Sequence, residues 1–166
     1  MATAQAIYDH FTNPVDIVEQ IATIHDWTFE RSAPDELTLT VSGTCCEYHI
    51  SLTWREDLEA LHLACAFELK VPQARRNEMI ELTAKVNEQL WIGHFGVWFN
   101  DGLVMFRHAL LLTGGTAASR AQCESALGAA LDACERYFQA FQFVLWAGKS
   151  ANEAIDAIMF ETSGEA

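Results

Sequence analysis

From Glu36 to Leu69 the chain alternates apolar with polar or small side chains, and this pattern restricts the fold more than any other. Leu37, Leu39 and Val41 alternate with Glu36, Thr38, Thr40 and Ser42. Cys46, Tyr48, Ile50, Leu52 and Trp54 alternate with Glu47, His49, Ser51 and Thr53. Leu61, Leu63, Cys65, Phe67 and Leu69 alternate with smaller or polar residues. Successive side chains of a strand point to opposite faces, so a period of two predicts strands with one buried and one wetter face. A further extended segment precedes them at 26–31. The connections "APDE", "SGTC" and "REDLE" suit antiparallel turns.

Helical signals bracket these strands. Asn13-Pro14 predicts a helix start, because Asn caps free N–H groups and Pro suits the first helical position. Val15, Val18, Ile21 and Ala22 follow at helical spacing, giving a helix over 14–25. Val71-Pro72 breaks the sheet, and Met79, Leu82, Val86 and Leu90 predict a second helix over 73–90. Gly93 ends it. Strands over 94–100 and 103–112 then flank Asp101-Gly102, read as a two-residue turn. Ser119 to Gln122 forms a capping box, followed by an apolar stripe from Cys123 to Leu145, a helix of roughly 40 Å that Gly148 stops. Ser150 and Glu153 open a last helix to about residue 160, with the tail "ETSGEA" outside it. The order α-β-β-β-β-α-β-β-α-α predicts a single α+β domain, 1–166, with a folded core over about 14–160. Its sheet is mainly antiparallel and its helices pack on one face.

Charge and composition exclude some functions. The net charge of −13 repels phosphate backbones and anionic lipid, so neither nucleic acid nor membrane is an expected partner. No apolar run approaches the ~18 residues of a membrane span. The stretch "MATAQAIYDHF" lacks the charged start and apolar run of a signal peptide, which makes the cytoplasm the expected location. The five cysteines show no C-x-x-C spacing and are expected to be reduced thiols. The charge is uneven. Residues 1–70 carry −9 and residues 119–166 carry −4, while 71–118 are neutral. Interface cores are depleted of charge, so the neutral middle is the candidate contact region.

That middle contains "LWIGHFGVWFNDG". With a two-residue turn, position 98 faces 105 and position 96 faces 107. One face of the hairpin then carries Phe95, Val97 and Phe99 with Val104, Phe106 and His108. The other carries His94, Gly96 and Trp98 with Leu103, Met105 and Arg107. Both faces are substantially apolar, and Trp98 and Met105 are expected to be opposed. A hairpin apolar on both sides needs two covers. The chain's helices supply one; the other is a further helix, a second subunit or a client. The candidate partner-binding residues are Trp91, His94, Trp98, Leu103, Met105 and Arg107. Arg107 is expected to lie over Gly96 and to pair with a carboxylate of the chain or of a partner.

No catalytic, cofactor or metal site emerges. His94 and His108 fall on opposite faces, and His49, His62 and Glu47 lack any H-E-x-x-H spacing. "LTGGTAAS" joins a strand to a helix like a phosphate loop but lacks the P-loop lysine, and it reads as a turn. No G-x-S-x-G elbow is present. Cys45-Cys46 would bridge only with strain.

The stretches "ALHLACAFEL", "VPQARRNEMIELTAKVNEQLWIGHF", "VMFRHALLL", "ERYFQAFQFVLWAG" and "SANEAI" resemble the YbjN family of bacterial proteins, labelled sensory transduction regulators. The resemblance covers about 14–160. It implies a fold similar to type III secretion chaperones, which are small, acidic, usually dimeric proteins that bind other chains. The function expected is therefore a non-enzymatic protein-binding module, chaperone-like or regulatory, that forms a homodimer and binds an unidentified protein partner. The alternative is a small-ligand sensor with a pocket between sheet and long helix, lined by Trp54, Trp91 and Phe141.

Overall fold

The computed structural model describes residues 13–164. In chain order the elements are α1 (Pro14–Ile24), β1 (Thr28–Ala33), β2 (Glu36–Ser42), β3 (Glu47–Arg55), β4 (Ala60–Lys70), α2 (Arg76–Gln89), β5 (His94–Trp98), β6 (Leu103–Leu111), α3 (Arg120–Trp146) and α4 (Ala151–Gly164). The order and the α+β class are those expected. The reading of the first eleven residues as lacking a signal peptide lies outside the described residues. β1 sits later than 26–31, and α4 runs past residue 160. Pro72 displaces the start of α2: residues 73–75 form a 3₁₀ turn before the α-helix begins.

The caps form as their chemistry dictates. The Asn13 side chain accepts from Val15 N, and Pro14 follows at the first helical position. Ser119 and Gln122 bond reciprocally at the start of α3, and Ser150 and Glu153 do the same before α4. Gly148, at φ 64°, lets the chain leave α3.

All strand pairs are antiparallel, in the order β1-β2-β3-β4-β6-β5. The alternating apolar residues of β2, β3 and β4 enter one core with Phe95, Val104 and Phe106. The helices cover that face: α1 lies on β1–β3, α2 beside β5, and α3 across β4 and β6. Aromatic rings fill the middle. Phe67, Phe95, Phe138 and Phe141 meet at centroid distances of 5.2–6.3 Å. The side chains of α4 enter the same core through Ala151, Ala154 and Ile158.

The β5–β6 connection corrects the sequence reading. The loop has four residues, Phe99 to Gly102, and the register pairs Trp98 with Leu103 and Gly96 with Met105. Trp98 and Met105 are therefore not opposed. A two-residue type I′ turn needs positive φ at both positions, yet Gly102 is positive (66°) and Asp101 is not. The wider loop is also tied down. Gly102 N donates to Trp98 O, Val71 N donates to Gly102 O, and an Arg76 Nη2 donor holds Phe99 O. Because the shift is two residues, the side chains stay on their expected faces. Gly93 is required where it stands: φ is 68°, and a Cβ would lie 2.1 Å from Phe106 Cζ.

Candidate protein-binding surface

Among the described residues, the helices leave the second face of the sheet uncovered. Strand register reads it out in rows. One row runs Glu30–Thr38–Ser51–Ala64–Arg107–His94 across all six strands. The next runs Thr28–Thr40–His49–Ala66–Met105–Gly96. The β1–β3 half is rich in threonine and carries Glu30, Glu36 and Glu47. The β4–β6–β5 half is apolar and small, with Ala64, Ala66, Leu103, Met105, Leu111 and Trp98, the last 46% exposed. Five of the six candidate residues thus share this face. Trp91 does not belong to a strand; it stands 100% exposed in the link from α2 to β5. The further helix considered as a second cover is not there among the described residues.

Sequence reasoning missed His62, Ala64 and Ala66 as parts of the surface. Period-two alternation puts them on the wetter face of β4, but only the β4–β6 pairing sets them beside Met105 and Arg107.

Arg107 differs from its expected surroundings. It is opposite His94, and Gly96 has open space above it. No carboxylate pairs with it among the described residues. Arg107 Nε instead donates to His62 Nε2 at 3.1 Å, and the guanidinium carbon lies 5.7 Å from the centre of the Trp98 ring. Burial, then the nearby Arg107 and His94, hold the His62 pKa below its ordinary value, so its Nε2 is free to accept. Two contacts fix the guanidinium, and its Nη groups bond nothing among the described residues. That is a preorganised donor pair for a carboxylate.

Each edge of the sheet carries a feature that discourages strand addition. The outward-facing N–H and C=O of Phe95 on β5 are both taken by Asn87, at 2.7 and 3.0 Å. At the other edge, β1 carries Arg31, which pairs with Asp16 and Glu19 of α1. A capped rung on β5 and a charged side chain on β1 discourage strand addition at the edges, whereas the face carries no such device.

A family model described as "Putative bacterial sensory transduction regulator" (YbjN) matches residues 14–143, most of the chain. The chain belongs to the YbjN family. Neither the curated proteins nor the solved structures gave a match.

The remaining candidates in this YbjN member have structural partners. Gly114 and Gly115 of the glycine loop donate their N–H groups to the Glu59 carboxylate at 3.3 and 3.0 Å, so a side chain of β4's leading turn fills the anion nest. His49 lies 3.8 Å from Glu68 on the exposed face. No group of three metal-ligating side chains occurs among the described residues. Cys134 donates to Cys65 at 3.6 Å inside the core, and that bond with burial raises its pKa. Burial pushes Cys123 up to about 11. Both therefore stay protonated and unreactive. Among the described residues, no helix is long and apolar enough to cross a membrane. Trp54, Trp91 and Phe141 do not form a pocket: Phe141 is fully buried in the core and Trp91 fully exposed. A shallow apolar groove of about 330 Å³ does lie between sheet and long helix. It is lined by Ile92, His108, Leu110, Ala121 and Ala126, with Gln122 and Ser125 at its polar side.

Proposed function

We propose that this YbjN-family chain is a non-enzymatic, regulatory or chaperone-like binding module that works through protein–protein contact as a homodimer, with the uncovered face of the sheet as the interface. One observation carries the reading: Trp98, Leu103, Met105 and Leu111 share a face that no helix among the described residues covers, with an arginine that pairs with no acid among them. Patches of this kind on otherwise acidic, charged surfaces mark interaction sites. The regulatory description of the family agrees with a module that binds rather than transforms. Light scattering on the whole protein tests it. The wild type is expected at twice 18.5 kDa at micromolar concentration, and Trp98→Glu at 18.5 kDa with unchanged circular dichroism. A monomeric wild type, or a Trp98→Glu variant that stays dimeric, removes the proposal.

A small-ligand sensor is the second reading, and the groove between β6 and α3 favours it. In that case a small apolar ligand raises the melting temperature of the wild type, and Ala126→Trp, which fills the groove, abolishes the shift. A shift that survives Ala126→Trp places the ligand elsewhere and ends this reading.

A further inference from the structure

The uncovered face is divided by charge, and the division gives the dimer a geometry. On β1–β3 it presents Glu30, Glu36 and Glu47, with His49 and with Arg55, whose charge is already taken by Asp57 at 2.7 Å. On β4, β6 and β5 it presents His62, Lys70, Arg107 and His94, against Glu68 alone. Stacking like halves would set Arg107 and Lys70 of one copy against the same groups of the other, and the three glutamates against their own copies. Size argues the same way. A face of six strands at ~4.8 Å spacing, each about eight residues long, covers roughly 700 Å². The apolar half alone, summed over two copies, buries about that much, which is short of the ~1,200 Å² at the low end of specific interfaces. Two whole faces bury about twice as much.

We propose that two copies stack their open faces reciprocally, acidic half on basic half, and that Arg107 receives Glu30 and Glu36 of the second copy. This rests on the homodimer reading above. A two-fold axis running along the strands, between β3 and β4, lays β4 on β3, β6 on β2 and β5 on β1 of the second copy. The row that crosses all six strands is then superposed on itself. Arg107 falls over Thr38 of the second copy, His94 over Glu30, and Ser51 over Ala64. Glu30 is the β1 partner of Thr38, and Glu36 lies two residues along β2, so both carboxylates flank the arriving guanidinium. The centre of the contact is mostly small side chains, Ser51, Thr53, Ala64 and Ala66, and the histidines of these strands fall on small partners, His49 on Ala66 and His62 on Thr53 of the second copy, which lets the sheets approach to the ~10 Å of stacked faces. Met105 packs on the methyl of Thr40 of the second copy.

Charge reversal followed by sedimentation tests the arrangement. Arg107→Glu sets like charges together and is expected to weaken the dimer roughly a hundredfold. Glu30→Arg with Glu36→Arg is expected to do the same. The triple variant carrying all three is expected to dimerise again, because reversal on both sides restores attraction. All the substitutions lie on the uncovered face, and circular dichroism checks that each variant folds. Single-side variants that dimerise like the wild type overturn the arrangement, as does a triple variant that stays monomeric. In either case a wild-type dimer that Trp98→Glu dissociates leaves the broader reading standing. A wild-type monomer removes both.

Discussion

Single side chains decide which surfaces of this sheet are available, and Asn87 is the clearest case. An edge strand presents unpaired N–H and C=O groups that recruit other strands. The Asn87 amide matches both groups of Phe95, donor to acceptor and acceptor to donor, and so imitates one rung of a missing strand. Asn87→Leu keeps the volume and removes both bonds. It leaves two half-buried backbone groups unsatisfied, at a cost of about 1–3 kcal/mol. Urea unfolding is expected to show a loss of that size, and hydrogen exchange to show a faster Phe95 amide. A variant with unchanged stability and unchanged exchange would mean that the amide only rests against the strand. Arg107 is the opposite case: its contacts to His62 and Trp98 hold the guanidinium without using its Nη donors. One residue caps a rung of the sheet's edge, and the other leaves donors free on its face.

At the scale of elements, sequence patterns performed unevenly, and the reasons are physical. Strands β2, β3 and β4 were legible because a half-buried antiparallel strand must alternate, and the alternation assigns each residue a face. The helix starts at Asn13, Ser119 and Ser150 were legible because orphan N–H groups require side-chain partners close by in sequence. The β5–β6 turn was misread because Asp101-Gly102 fits two turn types. The choice between them is made by Val71 and Arg76, which reach the loop from outside the hairpin. The site shows the same boundary. His94, Trp98, Leu103, Met105 and Arg107 were assigned a common face from parity alone, which a two-residue register shift preserves. Their neighbours His62, Ala64 and Ala66 were out of reach, because β4 joins β6 only after the chain has made α2 and β5. The acid expected for Arg107 is absent among the described residues for a related reason: local spacing says nothing about what faces an uncovered strand.

At the scale of the molecule, a sheet covered on one side has one core, and α4 is part of it. The family match ends at residue 143, before α4 begins, and a unit that ended there would treat α4 as an appendage. The packing argues otherwise. Ala151 and Ala154 are fully buried, Ile158 nearly so, and the Ala151 N–H is held by Glu78 of α2. Removing residues 151–166 takes three apolar side chains out of the core and exposes the surfaces of α2 and α3 beneath them. At about 25 cal/mol per Å² of apolar area, the loss is roughly 4 kcal/mol, an upper estimate because unfolded chains already bury some of that surface. For a chain of this length it corresponds to a fall of roughly 10 °C in Tm. We therefore predict that the truncated chain melts that much earlier. We also predict that in the full chain tryptophan fluorescence and far-ultraviolet circular dichroism report one coincident transition. A truncated chain with the Tm of the full one, or a full chain whose helical signal is lost in two steps, would divide the molecule at α4 and confine the cooperative unit to the part that carries the open face.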